Sequence, residues 1–419
     1  MREQVQQIRT ALPEQGLFSG QEWRLSADAL ELSRSEVRAL ERLGVWLAKF
    51  QKTANSLYRR SVNGSAPAWI AEYLDRGKPP ELIAASRSGV QADALPTLIR
   101  PDLILTETGF ALTEIDSVPG GTGLTSWMQE TYRTLGEPVI GDVDMRDVLR
   151  SRFAGYDIVI SEEAYEYRPE LDWLYGEENV HRAENYLFNG KPVYRFFEGF
   201  DWPILDRLRE SHRPECIIDA PLKPFLEEKL WMALFWMKPL ESFWRQELGS
   251  RYFQELRKII PYTWMMEPMN LPPGGVIPGL EIHHWDALKA YSQKQRDYIL
   301  KISGFSPLAW GSRGVTVGTD VSAEAWGDAI DHALTTAAEN PYILQPFHKG
   351  RRLKHRFWDE DLDEEVLMEG RVRLCPYYLQ DGKQVRLLGV QATICPADKK
   401  LIHGMSDAII VPVKQQLAD

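Results

Sequence analysis

The sequence predicts a mixed α/β (α+β) fold, and three patterns support this class. Apolar residues recur at helical spacing through residues 1–60, Leu30 among them, and so predict a helical start. Short strand and helix patterns alternate through residues 137–220, and strand patterns return at residues 371–379 and 384–395. At 419 residues, the chain is long enough for two or three domains with large cores.

Composition and charge narrow the classes of function. The net charge of −11 and the isoelectric point near 5.4 disfavour a nucleic-acid partner or an anionic membrane surface. The three cysteines form no CxxC pair, which predicts a reducing compartment and no zinc site. The N-terminus lacks the apolar core of a signal peptide, and the longest apolar run, residues 230–237, is too short to span a bilayer. We therefore expect a cytoplasmic protein with no nucleic-acid or membrane partner.

A hairpin that begins near residue 100 is the most informative stretch. Residues 103–106 and 110–116 have strand patterns, and residues 107–109 between them predict a three-residue loop. With that loop, Thr106 pairs with Phe110, and this pairing fixes the register of the whole hairpin.

The same register places Arg100 opposite Asp116 and Asp102 opposite Glu114, with all four side chains on one face. Three neighbouring carboxylates repel one another, and a hard divalent cation is the usual compensation. Mg²⁺ is typically held by one or two carboxylates together with nucleotide phosphates, so Asp102, Glu114 and Asp116 are candidate magnesium ligands. A solvated hairpin face would give the same pattern, and the hairpin alone does not decide between the two.

A glycine-rich turn, residues 117–123, follows the second strand and precedes a helical pattern at residues 124–135. Its backbone amides can approach an anion closely, and the dipole of the helix would point at that anion. We therefore expect Ser117, Gly120 and Gly121 to contact a substrate. A flexible turn without a ligand is the alternative.

Two lysines in the second half of the chain are candidate phosphate contacts. Lys229 lies in an otherwise apolar helical pattern, where an unpaired ammonium would be costly, so it either reaches the surface or meets a phosphate. Lys301 lies on a predicted strand, residues 297–302, and a Gly/Ser loop, residues 303–314, leads to a return strand at residues 315–318. A lysine and backbone amides could clamp a phosphate there, although a surface hairpin with a mobile loop is the alternative.

Three other stretches of the second half contribute to the prediction. Residues 341–347 predict a buried strand that ends at Gln345 and Pro346, and its backbone could face an adenine ring. Residues 350–356 form a dense basic run, which we interpret as a solvated loop or an anion-steering patch. A Pro/Gly-rich linker at residues 271–279 marks a boundary between lobes.

In this order the segments resemble the circularly permuted ATP-grasp ligases, the group that contains glutathionylspermidine synthetase and eukaryotic-type glutathione synthetase. LIRPDLIL followed by LTEIDSVPGG resembles the Arg-x-Asp and Glu-x-Asn hairpin of that group, and EKLWMALFW resembles its first lysine helix. YILKISG with GSRGVTVG resembles its second lysine and phosphate loop, and YILQPF resembles its adenine hinge. The resemblance extends over about residues 95 to 405, which is most of the chain.

The resemblance implies an ATP-dependent carboxylate–amine ligase that forms an amide through an acyl phosphate, with ATP and Mg²⁺ as cofactors. Its substrates would be a small-molecule acid and an amine of the amino-acid, peptide or polyamine type. The roles carried over to this sequence are catalytic for Arg100, Lys301 and Arg313; nucleotide binding for Lys229, Lys301, Ser312, Arg313, Gly314 and Gln345; metal binding for Asp102, Glu114 and Asp116; and substrate binding for Arg100, Ser117, Gly120 and Gly121.

The sequence departs from the pattern of the group at three points, the first being a loop around Lys301 that is longer and more apolar, with Phe305 and Trp310. Asp116 stands where the group has asparagine, which adds charge and leaves the number of metal ions open. Arg373, in RVRLCPYYL, maps to no residue of the group. The alternatives are an ATP-binding protein that acts in assembly without catalysis and an ATP-grasp phosphotransferase, and a homodimer is left open.

The expected fold is a circularly permuted ATP-grasp with an inserted α/β substrate lobe. We expect five segments along the chain. They are an N-terminal helical scaffold, 1–97; the metal-binding hairpin and Gly-rich turn of the ATP-grasp core, 98–136; the inserted α/β substrate lobe, 137–220; a helical segment with the nucleotide lysine, 221–270; and the ATP-grasp lid with the C-terminal strands, 271–419.

Overall fold

A computed structural model describes residues 1–13, 17, 23–141, 144–309, 313–382, 384–404 and 406–416. The chain folds into two compact units, and each unit is assembled from separated stretches of sequence. Unit 1 comprises Met1–Phe50, Ser88–Leu222 and Lys349–Asp419, and unit 2 comprises Gln51–Arg87 and Lys223–His348. The five segments expected from the sequence divide the chain differently, since 1–97 and 271–419 each contain parts of both units, and they stay a prediction.

Helices and strands alternate along much of the chain. The helices are α1 Arg2–Ala11, α2 Arg34–Val62, α3 Trp69–Asp75, α4 Pro80–Arg87, α5 Thr122–Thr134, α6 Met145–Arg152, α7 Arg168–Tyr175, α8 Asp206–Ser211, α9 Leu230–Trp236, α10 Glu241–Leu248, α11 Ser250–Ile259 and α12 Ala323–Thr335. The strands are β1 Leu30–Leu32, β2 Leu98–Thr106, β3 Gly109–Asp116, β4 Asp157–Ile160, β5 Val180–Arg182, β6 Val193–Phe196, β7 Ile218–Asp219, β8 Trp264–Met266, β9 Tyr298–Ile302, β10 Val315–Val317, β11 Tyr342–Pro346, β12 Arg352–Asp359, β13 Glu364–Asp381, β14 Gln384–Pro396 and β15 Ile409–Gln415. Of the helices in the described residues, none is both long enough and apolar enough to cross a membrane.

The largest sheet lies in unit 1 and joins strands from its beginning, middle and end. Within the described residues it has seven strands in the order β1-β15-β14-β13-β2-β3, and β12 also pairs with β13. Leu30, expected in a helix, instead lies in β1 and pairs with Val413. The basic run is not a loop from residue 352 onwards, because Arg352 begins β12 and pairs with Arg371 of β13.

Two prolines interrupt the pairing of β2 with β13. Pairs are formed on one side at Leu103 and Leu374 and on the other side at Ile99 and Tyr378, while Pro101 and Pro376 lie in the gap. Because proline has no backbone N–H, neither residue can donate to the ladder. The two strands therefore lie side by side through this gap without the regular hydrogen bonds of a sheet.

A second sheet in unit 1 is fully parallel, with the order β5-β4-β6-β7. β4 and β6 are buried along their whole length, which is typical of a parallel sheet covered on both faces. Leu149 of α6 and Leu171 of α7 pack in one core with Ile158 and Phe196 of these strands. The alternating α/β pattern of residues 137–220 is thereby confirmed.

Unit 2 contains an antiparallel sheet with the order β10-β9-β11-β8. α12 turns Trp326, Ile330 and Ala333 inward, at the spacing that places side chains on one face of a helix. These residues join Leu300 of β9 and Leu344 of β11 in a common core. The sheet that carries Lys301 therefore rests on a helix and has a fixed position within the unit.

Candidate functional site

The predicted acidic hairpin is present as β2 and β3, and its charged end has the predicted register. Arg100 pairs with Asp116, and Asp102 pairs with Glu114. The turn at the other end differs from the prediction. Residue Thr106 pairs with Gly109, so the loop has two residues rather than three.

A β-bulge explains why the pairs between the charged residues were predicted correctly although the length of the turn was not. The register shifts between Asp102 and Leu103, because Leu103 pairs with Leu112 and leaves Thr113 as an extra residue in β3. The Thr113 hydroxyl donates to the Asp102 carbonyl at 3.1 Å. The extra residue cancels the one-residue error at the turn, so the predicted pairing of Thr106 with Phe110 is wrong while the pairs between the charged residues are right.

Arg100 holds the charged end of the ribbon together. Its Nη2 lies 3.0 Å from Asp116 Oδ2, and its Nε lies 3.0 Å from Asp102 Oδ1. Its Nη1 donates to the Gly120 carbonyl at 3.2 Å. Burial disfavours the charged guanidinium, but the carboxylates of Asp102 and Asp116 outweigh burial and raise the pKa of Arg100. Arg100 therefore stays cationic and links the ribbon to the glycine-rich turn.

Asp102 is buried and has a partner on each carboxylate oxygen. Oδ2 accepts a hydrogen bond from Arg373 Nη1 at 3.2 Å, and Oδ1 accepts one from the Cys375 thiol at 3.4 Å while facing Arg100. Burial raises the pKa of Cys375 to about 12, so the thiol keeps its proton and can donate it. Two arginines thus supply the compensation that sequence reasoning assigned to a cation.

The three acids of the ribbon are not arranged as the ligands of one metal ion. Among the described residues, no three or more His, Cys, Asp or Glu side chains are placed so as to hold a metal ion. Asp116 Oδ1 accepts a hydrogen bond from the Val118 amide at 2.7 Å, and burial raises the pKa of Asp116 more than the charge of Arg100 lowers it. Asp102 does not fit as a ligand, because its carboxylate is buried and enclosed by Arg100, Arg373 and Cys375.

A smaller metal site still fits the ribbon. Mg²⁺ commonly takes only one or two carboxylates and fills its other positions with water or phosphate oxygens. Glu114 and Asp116 stand two residues apart on the same face of β3, and both are partly exposed. These two carboxylates fit such an ion, and Asp102 would stand behind them as the partner of Arg100.

The glycine-rich turn binds an anion that the protein itself supplies. The Glu170 carboxylate, from α7, accepts hydrogen bonds from the amide of Gly121 at 2.7 Å and from the amides of Gly123 and Leu124 at 3.2 Å each. These amides lie at the N-terminus of α5, where the helix dipole favours negative charge. The Gly121 amide donates to Glu170 in this structure, and its expected contact with a substrate stays a prediction.

Glu170 has an unusual protonation equilibrium. The side chain is completely buried, and burial raises the pKa of Glu170 to about 7 although the three amides lower it. The carboxyl group therefore changes charge near neutral pH while it remains inside the turn.

Ser117 and Gly120 are packed into the same turn. The Gly120 carbonyl accepts a hydrogen bond from the Tyr377 hydroxyl at 2.7 Å, and a Cβ on Gly120 would lie 2.2 Å from the Tyr167 ring. Only glycine fits there without a shift of the tyrosine. Ser117 is buried, and its hydroxyl has no hydrogen-bond partner among the described residues. The substrate contacts of both residues stay predictions.

In unit 2, Lys301 lies in the interior of the four-stranded sheet. On β9 it pairs with Val315 on one side and with Ile343 on the other, and its side chain is buried. Burial lowers the pKa of His348, and the nearby charge of Lys301 lowers it further, so His348 is neutral at pH 7. The expected position of the lysine on a strand is confirmed, and its contact with a nucleotide stays a prediction.

Lys229 immediately precedes α9 and is not inside it. It occupies the N-cap position of that helix, and its amide donates to the Ser303 carbonyl at 2.9 Å. Its position within an apolar helix, as expected from the sequence, is therefore wrong by one residue. The hydrogen bond ties the start of α9 to the first residue of the loop after β9.

Glu228, the residue before Lys229, holds the root of the same loop. Its carboxylate accepts hydrogen bonds from the Lys78 ammonium, the Ser303 hydroxyl and, at 3.4 Å, the Phe305 amide. The side chains of Lys78 and Glu228 are each 1% exposed. Removing either partner of a buried ion pair is strongly destabilising. The pair therefore holds the beginning of the loop in a fixed position.

Gln345 has a structural role in this state. Its Nε2 donates to the Thr263 hydroxyl at 2.9 Å, and its backbone pairs with Ile299 across β11 and β9. β11 ends at Pro346, as predicted. The side chain of Gln345 is therefore engaged within unit 2, and a contact with adenine through the end of this strand stays a prediction.

The rest of the predicted phosphate loop is only partly described. The Gly314 amide donates to the Leu308 carbonyl at 2.6 Å, so in this structure it is not available to a phosphate. Arg313 is exposed, while Ser312 lies outside the described residues. Arg313 is thus the predicted loop residue that solvent and ligands can reach.

Sequence reasoning missed the two internal glutamates. Glu170 and Lys78 carry no local signal, because their partners lie tens of residues away in the chain. Glu228 carried a weak one, since it is an acid next to a candidate lysine at the start of an apolar run.

No family model and no curated protein sequence matches this chain, but solved structures do. A glutathione synthetase-like effector from Globodera pallida, solved in its apo form, matches with a TM-score of 0.52 and 10% identity, covering 98% of this chain and 96% of that one. A proposed gamma-glutamylcysteine synthetase from Methylobacillus flagellatus matches with a TM-score of 0.37 and 10% identity, covering 81% and 85%. At 10% identity the first match shows a shared mixed α/β fold and nothing about activity, and the second is too weak to support a conclusion.

Proposed function

We propose that the chain is an ATP-dependent carboxylate–amine ligase with a circularly permuted ATP-grasp fold. The observation that carries the proposal is the register of β2 and β3, which brings Arg100, Asp102, Glu114 and Asp116 to one end of one ribbon. The Arg-x-Asp and Glu-x-Asp segments need this arrangement if they act as the metal and substrate hairpin of such a ligase. The ribbon precedes the lysine-bearing strands in the chain, as the permuted order requires, and the likeness of fold to a glutathione synthetase-like protein supports the proposal.

In unit 1 the ribbon would serve the metal and the acid substrate. Glu114 and Asp116 would hold Mg²⁺, which when bound neutralises the charge of phosphate groups. Asp102 would act through the arginines, because its ion pairs with Arg100 and Arg373 hold both guanidinium groups in place. Arg100 would hold the carboxylate of the acid substrate, since the fork of a guanidinium matches the two oxygens of a carboxylate.

In unit 2 the lysines would serve the nucleotide. Lys301 is buried on a strand of a packed sheet, and an ammonium held in this way offers a fixed positive charge for a phosphate. Lys229 and the loop residues Ser312 and Arg313 would supply further phosphate contacts. The end of β11, at Gln345, would offer backbone groups to the adenine ring.

The reaction needs no nucleophile from the protein. A carboxylate oxygen of the acid attacks the terminal phosphorus of ATP, ADP leaves, and an acyl phosphate forms. The amine nitrogen then attacks the acyl carbon, phosphate leaves, and the nitrogen loses a proton as the amide forms. Arg100 would stabilise the negative charge on the reacting oxygens. Cys375 is free, buried and protonated, which agrees with a mechanism that uses no thiolate.

A second candidate is an ATP-binding protein that forms no amide. The contacts of Glu170 favour it, because the amides of the glycine-rich turn are already bonded to that carboxylate. A ligase that used these amides would have to displace Glu170 first. The two candidates differ in turnover and not in nucleotide binding.

The test is the release of ADP from ATP and Mg²⁺ over a panel of amino acids, peptides and polyamines, with each acid offered alongside each amine. A ligase releases ADP only when both substrates of a productive pair are present. Glu114→Gln should then lower turnover at least about 100-fold, because even the outer partners of a metal commonly contribute 10- to 100-fold. The unfolding transition of the variant should be unchanged, since Glu114 is partly exposed.

Glu107→Gln is the matched control, because Glu107 is an exposed acid at the other end of the same ribbon. This variant should keep turnover within about two-fold of the wild-type value, as surface substitutions away from a site usually do. Near-normal turnover of Glu114→Gln would remove the metal assignment. Nucleotide binding without turnover on every pair would favour the second candidate, and a stable phosphorylated product without an amide would indicate a phosphotransferase.

A further inference from the structure

β13 carries a buried arginine and a partly buried arginine for which the proposed ligase gives no ligand. Arg371 and Arg373 stand two residues apart, so their side chains leave the same face of the sheet, about 6.6 Å apart along the strand. Arg371 is 5% exposed, and the side chain of Arg373 is 24% exposed. Thr393 of β14 pairs directly with Arg373 and is completely buried. The three side chains therefore share one face.

Each of these side chains has a polar atom left over. Arg371 Nη1 donates to the Lys399 carbonyl at 3.1 Å, and Arg373 Nη1 donates to Asp102. Within the described part of the chain, Arg371 Nε, Arg373 Nε and the Thr393 hydroxyl are buried without a hydrogen-bond partner. Buried polar groups are nearly always paired, so three such groups on neighbouring positions indicate a ligand that supplies the missing acceptors.

The positive charges around Arg371 are only partly compensated. Arg352 of β12 pairs directly with Arg371, and like charges placed opposite each other destabilise a sheet. Burial lowers the pKa of Arg371, and the charge of Arg352 lowers it further. Glu369 lies 3.4 Å from Arg352 Nη1, and Asp102 is the partner of Arg373. The charges of Glu369 and Asp398 raise the pKa of Arg371 less than burial and Arg352 lower it. A bound anion would offset the remaining positive charge.

We propose that Arg371, Arg373 and Thr393 form a binding site for an oxyanion, either a carboxylate or a phosphoryl group. The guanidinium fork matches both groups geometrically, and the threonine hydroxyl can donate a further hydrogen bond. The site differs from the one proposed for Arg100, since it lies on β13 and β14. In the proposed ligase, and resting on that function, the site would hold a second anionic group of the acid substrate, which would make that substrate a dianion.

The test is direct binding by the full chain, without ATP or Mg²⁺, of inorganic phosphate, succinate and acetate. Isothermal titration calorimetry should give saturable binding of phosphate or succinate, and acetate should bind more weakly because it carries one charge. Tighter binding of phosphate assigns the site to a phosphoryl group, and tighter binding of succinate assigns it to a dicarboxylate. No saturable binding of phosphate or succinate at millimolar concentrations overturns the proposal.

Three variants separate the site from general positive charge. Arg371→Met should weaken binding about 10- to 100-fold, as expected for the loss of a charged hydrogen bond. Thr393→Val keeps the shape and every charge, and it should weaken binding by about five-fold. Arg352→Met is the control, because it removes the same charge from a side chain that is 56% exposed, and it should change binding less than about three-fold.

The variants also decide against the proposal when they fail. Equal losses in Arg352→Met and Arg371→Met would show attraction by net charge alone and overturn the site. Thr393→Val keeps every charge and should fold normally. Wild-type affinity in this variant would overturn the part of the site that is assigned to the Thr393 hydroxyl of β14. Absence of ADP release with intact binding of phosphate or succinate would count against the ligase and leave this site standing.

Discussion

Two turns of the molecule each hold a buried carboxylate and balance its charge in different ways. The glycine-rich turn after β3 in unit 1 and the loop after β9 in unit 2 were both expected to present backbone donors to a phosphate or a carboxylate. In the structure each turn holds a buried glutamate of the protein itself, Glu170 in unit 1 and Glu228 in unit 2. Each turn is therefore built to accept an anion, and each already has one.

The difference lies in what balances the carboxylate. Glu228 is paired with the ammonium of Lys78, whereas Glu170 is held by three backbone amides at the start of α5. The amides do not fully offset the loss of water, and the pKa of Glu170 rises to about 7. A cation balances the carboxylate in one turn, while partial charges alone leave the other turn sensitive to pH.

The largest effect is expected from breaking the ion pair of unit 2. Lys78→Met leaves the Glu228 carboxylate buried without a cation, and the loss of one partner of a buried pair commonly costs about 3 to 5 kcal/mol. Denaturant unfolding followed by tryptophan fluorescence should show this decrease in the free energy of unfolding. The double variant Lys78→Met with Glu228→Gln should recover much of the loss, because it removes the stranded charge.

A loss below about 1 kcal/mol in Lys78→Met would contradict the role given to this pair. The same result would mean that the hydrogen bonds from Ser303 and Phe305 suffice to hold Glu228, and the contrast between the two turns would disappear.

The second effect concerns pH and unit 1. Because folding raises the pKa of Glu170 from 4.5 to about 7, the folded protein binds more protons than the unfolded chain between these values. The stability that protonated Glu170 contributes is complete below pH 4.5 and is lost as the pH rises through about 7. The shift corresponds to roughly 3 kcal/mol at 1.36 kcal/mol per pKa unit. Glu170→Gln should remove this part of the pH dependence.

Unfolding free energies measured from pH 4 to pH 8 test this expectation. Glu166→Gln is the control, since Glu166 is an exposed acid close to Glu170 in the chain. In this variant the free energy of unfolding should change with pH as it does in the wild type. If the free energy of unfolding of Glu170→Gln changed with pH as in the wild type, the pH dependence would arise from a group other than Glu170.

The smallest effect comes from two glycines in helices of the two units. A Cβ at Gly123 in α5 would lie 2.5 Å from Glu170 Cβ, so Gly123→Ala should destabilise the protein by about 1 to 3 kcal/mol, as overpacked cores do. A Cβ at Gly327 in α12 would meet nothing closer than 3.9 Å. Gly327→Ala should stabilise the protein by up to about 1 kcal/mol through helix propensity.

Thermal unfolding of the two glycine variants gives the sign of each effect. A gain in stability for Gly123→Ala would mean that α7 can withdraw from the turn without cost, and Glu170 would then be a loosely held group and not a packed one.

The sequence specified the charged end of the ribbon well because the determinants are local. Alternation along two strands and a short loop place Arg100, Asp102, Glu114 and Asp116 on one face, and the structure agrees. The turn was wrong by one residue because a bulge at Thr113 leaves no signature in composition. The mixed α/β class was also predictable, since it follows from the period of apolar residues.

The occupants of the two turns could not be predicted in the same way. Glu170 is 49 residues from Gly121, and Lys78 is 150 residues from Glu228. Contacts over such separations depend on tertiary packing, which the pattern of neighbouring residues in the sequence does not reveal. The same holds for Arg373, whose partner Asp102 is 271 residues away, and for the assembly of each unit from separated stretches of chain.

The neighbouring prolines of β2 and β13 have a mechanical consequence. Through Pro101 and Pro376 the two strands share no rungs, and this gap lies beside Arg100 and Asp102. Side chains take the place of the missing backbone bonds there, because the buried carboxylate of Asp102 accepts hydrogen bonds from Arg373 and Cys375 of β13. Removal of that carboxylate would therefore loosen the sheet along this line first.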